Sequence, residues 1–186
     1  LVAALAVRTA SAKSSVSVGV DVIFLLDASG SMLKSDPLRV SEHATSLFIQ
    51  LLGSEDRAGV VAFGDSAQVV LPLTPVETQL RQQMAQAIQK IQFNQNHTDI
   101  EAALKQAMVM FTAANKEKAS DQARVPHVIL LTDGRLDPAP GKGSSPAADR
   151  RRIKEHAREY LHQGVRISSI AFGLDADAEL LQEIAE

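Results

Sequence analysis

In DVIFLLDASGSM, residues 21–32, five apolar residues run into Asp27, Ser29 and Ser31 at alternate positions. Two other segments carry similar oxygen-bearing pairs. Thr132 and Asp133 follow the apolar run HVILL, and Thr98 and Asp99 stand ahead of a helical pattern in NQNHTDIEAAL. All of these side chains are hard oxygen donors. The chain has no cysteine, and His43, His127, His156 and His162 show no ligand spacing. A donor set of this kind suits Mg²⁺, Mn²⁺ or Ca²⁺ rather than zinc. On its own D-x-S-x-S is weak evidence. At ordinary residue frequencies it arises by chance in roughly one chain in twenty of this length, and Ser, Asp and Gly fill turns for local reasons. The weight lies in placement, because two of the three segments end apolar strand-like runs.

The elements that must hold these oxygens are readable from periodicity. Residues 22–26 form a continuous apolar run and are expected to be the central strand. From Leu38, the apolar positions Val40, Ala44, Leu47, Phe48 and Leu51 fall on one helical face. RAGVVAFG (57–64) is the next strand, and AQVVLPLTP (67–75) follows after a short polar turn. A connection that short permits a hairpin but no parallel crossover, so the latter strand should be antiparallel. Pro72 places it at an edge. Leu80, Met84, Ala87, Ile88 and Ile91 stripe a second helix, and Ile100, Leu104, Ala107, Met108 and Phe111 a third. HVILLTDG is a strand, while Ile153, Ala157, Tyr160 and Leu161 mark a fourth helix closed by Gly164. VRISSIAFG is the last strand, and DAELLQEIAE opens a further helix. Strands buried on both faces and alternating with amphipathic helices specify a parallel sheet between helix layers. Ligands of such sheets bind at the carboxyl ends of the strands, and Asp27 occupies one of those ends.

DASGSM, a threonine ahead of an amphipathic helix, and LLTDG, in that order, resemble a bacterial-type von Willebrand factor type A domain with a metal-ion-dependent adhesion site. The likeness in element order covers roughly residues 18–186. It implies an α/β fold with a doubly wound, mostly parallel sheet, one antiparallel edge strand and helices on both faces. It also implies one divalent cation, Mg²⁺ or else Mn²⁺ or Ca²⁺. The equivalents of Asp27, Ser29, Ser31, Thr98 and Asp133 would hold it, some through water. Family members commonly carry glycine shortly before the threonine, whereas Asn96 and His97 precede Thr98 here. They also continue past the helix at Leu180 with another strand and helix, so a C-terminal layer is expected to be missing from residues 18–186.

With such a site, Asp27 and Asp133 supply two negative charges and the three hydroxyls none. The cation is then left electrophilic, open to a Glu or Asp carboxylate from a protein partner. The expected function is a non-enzymatic, metal-dependent protein-binding or adhesion module. The alternative is a non-catalytic subunit of a cytoplasmic ATPase-coupled complex, similar to magnesium chelatase assemblies.

Composition agrees with a single globular domain of 186 residues: 45% apolar, 22% charged, net charge −3. That charge argues against nucleic-acid binding, which needs a concentrated basic surface. The basic cluster RRRIKEHAR (150–158) has helical spacing and reads as a solvated face. Residues 1–17 are expected to be an N-terminal segment bearing a signal-peptide remnant. They start without methionine, run apolar from Leu1 to Val7, and contain the small-x-small triplet Ala10-Ser11-Ala12, although Arg8 counts against that reading. An extracytoplasmic location follows, periplasmic, envelope-associated or secreted, with any membrane anchor outside this sequence.

Enzymatic motifs fail on spacing. The Ala28 and Gly30 context of Ser29 is not G-x-S-x-G. A second acid two residues after Asp27, wanted by an aspartyl phosphotransferase, is replaced by Ser29. Gly30 stands alone where a dinucleotide fold needs G-x-G-x-x-G, and Gly-Lys-Gly-Ser at 141–144 lacks phosphate-loop spacing. The loop from Arg135 to Asp149, with three prolines, is expected to border the metal and influence partner choice. His97 reads as a loop histidine with scope for mild pH sensitivity.

Overall fold

Apolar β-branched and leucine runs alternate with helical stripes along the chain, and the computed structural model arranges them as a five-stranded sheet between two helix layers. It describes residues 18–116, 124–137, 145–174 and 176–185. The N-terminal segment 1–17 and residues 138–144 of the proline-containing loop lie outside the described residues. The elements run β1 (Gly19–Asp27), α1 (Met32–Ser35), α2 (Val40–Leu51), β2 (Arg57–Phe63), β3 (Ala67–Pro75), α3 (Arg81–Gln89), α4 (Ile100–Lys116), β4 (Arg124–Thr132), α5 (Pro146–His162), β5 (Arg166–Ala171) and α6 (Ala178–Ala185).

The strand order is β3-β2-β1-β4-β5. β1 pairs in parallel with β2 and β4, and β4 with β5, while β3 runs antiparallel to β2 at the edge. The short turn and Pro72 had required that antiparallel edge. β1 is central, and alternate residues point into two cores. Ile23 and Leu25 pack with Ile100, Leu104, Phe111, Ile153, Tyr160 and Leu180 from α4, α5 and α6. Val22, Phe24 and Leu26 pack with Met32, Ile49, Met84 and Ile88 from α1, α2 and α3. Burial on both faces is why this strand reads as unbroken apolar sequence. α4 and α5 are also joined by charge, since Glu101 accepts from Lys105 at 2.5 Å and Arg152 at 2.8 Å. Gly164 ends α5 at φ 74°, a left-handed conformation that suits glycine. No helix among the described residues is long and apolar enough to cross a membrane.

The apolar stripe of α2 does not face the sheet. The helix buries Ser41, Glu42, Thr45 and Ile49 instead, and leaves Leu47 57% and Leu51 74% exposed. Three local bonds explain this orientation. Both carboxylate oxygens of Asp36 accept helix amides, from Val40 at 2.7 Å and Ser41 at 2.9 Å, fixing the start of the helix. Thr45 returns its hydroxyl to the Ser41 carbonyl at 2.8 Å, so a polar side chain can face the sheet with its hydrogen bond made. Leu161, assigned to the apolar face of α5 by spacing, is likewise exposed.

At the amino ends of the strands, Asp21 is buried between two guanidiniums. Arg57 Nε donates to it at 2.8 Å and Arg124 Nε at 2.5 Å, so one carboxylate ties β1, β2 and β4 together. Burial works to raise its pKa, but hydrogen bonds and charge from both arginines outweigh that and leave it below 3.8. Replacing Asp21 by Ala leaves two half-buried cations without their shared anion. Urea unfolding should show a loss of about 3–5 kcal/mol at neutral pH, and a loss under roughly 1 kcal/mol would contradict the assignment. The contribution is present in full above pH 3.8 and is lost as pH falls through the lowered folded value.

Candidate metal centre

A strand buried on both faces delivers its last residue to the sheet edge in a fixed position, and that residue in β1 is Asp27. The parallel register pairs Leu26 with Leu131, so Asp27 emerges opposite Thr132 with Asp133 the next residue along, both carboxylates at the carboxyl ends of neighbouring strands. Each is 1% exposed. The Asp27 carboxylate accepts the Ser29 amide at 2.9 Å through Oδ1 and the Thr132 hydroxyl through Oδ2. Thr132 Oγ1 in turn accepts the Gly134 amide at 2.9 Å. Ser29 and Ser31 bring their hydroxyl oxygens to 3.0 Å from each other. Asp133 accepts from the Ser35 hydroxyl at 3.0 Å and the Arg135 amide at 3.2 Å.

Thr98 reaches the same end of the sheet on a separate loop, held by backbone bonds from three sides. Gln95 donates its amide to Ala28 O at 3.1 Å and receives that of Gly30 at 2.7 Å. Thr98 N donates to Asp137 O at 2.8 Å, and Asp99 N to Gly64 O at 3.0 Å. Gly64 is required by this packing, since a Cβ there would lie 2.2 Å from Gln95 Cβ. Arg39, in the left-handed region at φ 54°, braces the approach to this loop. Its guanidinium lies 4.3 Å from the Phe93 ring centroid and donates to Ile91 O at 2.6 Å. Asp99 caps α4 by accepting the Ala102 amide at 3.0 Å.

Of the five oxygens proposed from sequence, Asp27, Ser29 and Ser31 form one hydrogen-bonded cluster, and Asp133 is close enough for its charge to act on Asp27. Thr98 is buried in the neighbouring loop, and no hydrogen bond links its side chain to the other four among the described residues. His97 is half-buried, with Nδ1 3.4 Å from Asp137 and Nε2 4.0 Å from Asp65. Asn96 and His97, in place of the glycine common in the family, thus stand in a loop pinned from both sides. Sequence reasoning missed Ser35 as a positioning donor to Asp133. Its only signal was a hydroxyl one helical turn beyond Ser31.

The electrostatics distinguish this end of the sheet from the other. Burial raises the Asp27 pKa to about 6, hydrogen bonds from Ser29 and Thr132 oppose the rise, and the Asp133 charge adds to it. No lysine or arginine side chain bonds to Asp27 among the described residues, and no cationic charge acts on it there. Two buried carboxylates beside the Ser29 and Ser31 hydroxyls are hard oxygen donors of the kind that suits a divalent ion.

Comparison with known proteins agrees with the architecture. The model of the von Willebrand factor type A domain matches residues 21–186. Inter-alpha-trypsin inhibitor heavy chain H4 of Bos taurus is 26% identical over 166 residues, covering 89% of this chain and 17% of that protein. The chain therefore spans a small part of this relative. Among solved structures, manganese-loaded Plasmodium vivax TRAP protein superposes with a TM-score of 0.67 at 19% identity, over 90% of this chain and 63% of that one. Proximal thread matrix protein 1 of the mussel byssus, with a zinc-occupied MIDAS motif, gives 0.68 at 22% identity, over 90% and 41%. At these identities the superpositions carry the fold alone. The family match spans nearly the whole described structure, with the sheet order and its single antiparallel edge in agreement: this chain belongs to the von Willebrand factor type A domain family.

Proposed function

We propose that Asp27, Ser29, Ser31, Thr98 and Asp133 hold one divalent cation, and that the domain binds a protein partner whose Glu or Asp carboxylate completes the coordination. The observation that carries this reading is the contrast between the two ends of β1. Asp21 is buried and neutralised by two arginines, whereas Asp27 and Asp133 are buried against hydroxyls and each other. A bound dication supplies the missing positive charge and an electrophilic position for an incoming carboxylate. Mg²⁺ or Mn²⁺, with Ca²⁺ a further possibility, suits the hard oxygen donors. Within the chain, Thr132 and the Ser29 amide orient Asp27, while Ser35 and the Arg135 amide orient Asp133. The site thus carries its donors already positioned.

This is a binding module rather than an enzyme. His127 Nε2 lies 2.9 Å from Ser168 Oγ on the neighbouring strands β4 and β5, but the oxygen cluster at the carboxyl ends has no histidine base hydrogen-bonded to its serines among the described residues. The relatives support the same direction, one structural neighbour being a byssus matrix protein with an occupied MIDAS motif. An extracytoplasmic setting, envelope-associated or secreted, accords with that neighbour and is favoured over an ATPase-coupled cytoplasmic role.

Two measurements test the reading. In chelator, Asp27 holds a proton in the folded chain between pH 3.8 and about 6, a range in which the unfolded chain has released it. Stability therefore falls as pH rises through that window, by about 3 kcal/mol at most. Asp27→Asn, which keeps an acceptor for the Ser29 amide, should be the more stable chain at pH 8 by roughly 2 kcal/mol, with the gap closing below pH 4. Equal stability at pH 8 in chemical denaturation would contradict an uncompensated carboxylate. Calorimetric titration with Mn²⁺ should show one site in the wild type and none in Asp133→Ala, with both chains folded. Pull-down of extracellular proteins should give partners that are retained in Mg²⁺ and released by chelator. Partner retention unchanged by chelator would overturn the mechanism.

A further inference from the structure

A second recognition feature adjoins the metal loop. Between the start of β3 and the end of α3 lies a cleft of about 380 Å³, within the size range of ligand-binding clefts. Its floor is apolar and buried, formed by Ala28, Phe63 and Ile91. Its rim is polar and exposed, with the side chains of Gln68, Asn94 and Lys90 standing over it. None of these three side chains makes a hydrogen bond or ion pair among the described residues. Two amides and an ammonium are therefore available at the mouth of an apolar hollow.

The cleft is continuous with the metal centre through the backbone. Ala28, on its floor, lies between Asp27 and Ser29, and Gln95, in its wall, bonds Ala28 O at 3.1 Å and Gly30 N at 2.7 Å. A partner whose carboxylate reaches the metal loop can extend its neighbouring residues over this opening. An extended chain advances about 3.3–3.6 Å per residue, so a side chain about two or three residues from the acid falls within reach. Phe63, the one aromatic lining residue, is buried in the floor, so the cleft offers no stacking platform for a sugar ring. Free side-chain amides above an apolar hollow instead suit a peptide: the amides hydrogen-bond its backbone while the hollow takes an apolar side chain.

We propose that this cleft is a second recognition subsite, binding a large apolar side chain of an extended partner peptide close in sequence to the acid that engages the metal. Gln68 and Asn94 hold the peptide backbone, and Lys90 favours an acidic flank. The inference rests on the metal-dependent reading and adds the partner's sequence chemistry to it.

The test is selection of a phage-displayed random peptide library on the folded domain in Mg²⁺, with elution by chelator. Enriched peptides should share an acidic residue and a large apolar residue at one fixed spacing. Gln68→Trp, which fills the mouth from an exposed strand position, and Asn94→Ala should each bind the selected peptide about tenfold more weakly. Both variants should keep the wild-type Mn²⁺ affinity and thermal midpoint. Enriched peptides that share only the acid, or unchanged peptide affinity in both variants, would overturn the cleft while leaving the metal site intact. Absence of Mn²⁺ binding by the wild type, or selection insensitive to chelator, would overturn the metal reading and this proposal with it.

Discussion

β1 carries a buried aspartate near each end, and the structure treats the two in opposite ways. At the amino end, Asp21 draws Arg57 and Arg124 from the neighbouring strands and its carboxyl stays ionised well into acid. At the carboxyl end, Asp27 meets hydroxyls, an amide and a second carboxylate, and its pKa rises to about 6. An isolated buried charge is expensive, and two adjacent like charges are more so. A fold that neutralises one end with two guanidiniums has the means to neutralise the other. The uncompensated pair is the constraint around which the loops at this edge are organised.

Those loops do their work through backbone bonds more than through side-chain contacts. Gln95 bonds both sides of Ser29, Thr98 bonds Asp137, and Asp99 bonds Gly64. Segments after β1, before α4 and after β4 are thereby locked to one another without drawing on the oxygens of the site. Side chains then refine positions: Thr132 holds Asp27, Ser35 holds Asp133, and Arg39 braces the strap that leads to Thr98. Donors held in this way lose little freedom on taking up a ligand. The same lattice of bonds places the amide-rimmed cleft beside the loop that carries Ser29, so the proposed metal site and the proposed peptide subsite would share one edge.

α2 shows where helical periodicity misleads. Val40, Ala44, Leu47 and Leu51 make a clean apolar stripe, yet the helix lays Ser41, Thr45 and Ile49 on the sheet. Asp36 anchors the first turn from outside the helix, and Thr45 satisfies its own hydroxyl within it. Asp36 and Thr45 thus reach burial with their partners made, while the Ser41 hydroxyl is buried without one among the described residues. A periodicity argument counts apolar residues and has no view of such local satisfaction.

Local pattern alone determined the strands, the antiparallel edge and the central place of β1. Continuous apolar runs, a short polar turn and Pro72 act on neighbouring residues, and such signals survive without tertiary knowledge. It also picked out Asp27, Ser29, Ser31 and Asp133, because strand ends that break abruptly into oxygen-bearing side chains are visible as composition. Only the tertiary structure decided that Asp27 and Asp133 are neighbours, since that depends on β1 and β4 pairing across 105 positions of chain. It alone paired Ser35 with Asp133 and turned α2 by its caps. It also gave Asp21 two guanidiniums and Asp27 none among the described residues, because charge compensation is a property of what lies nearby in space.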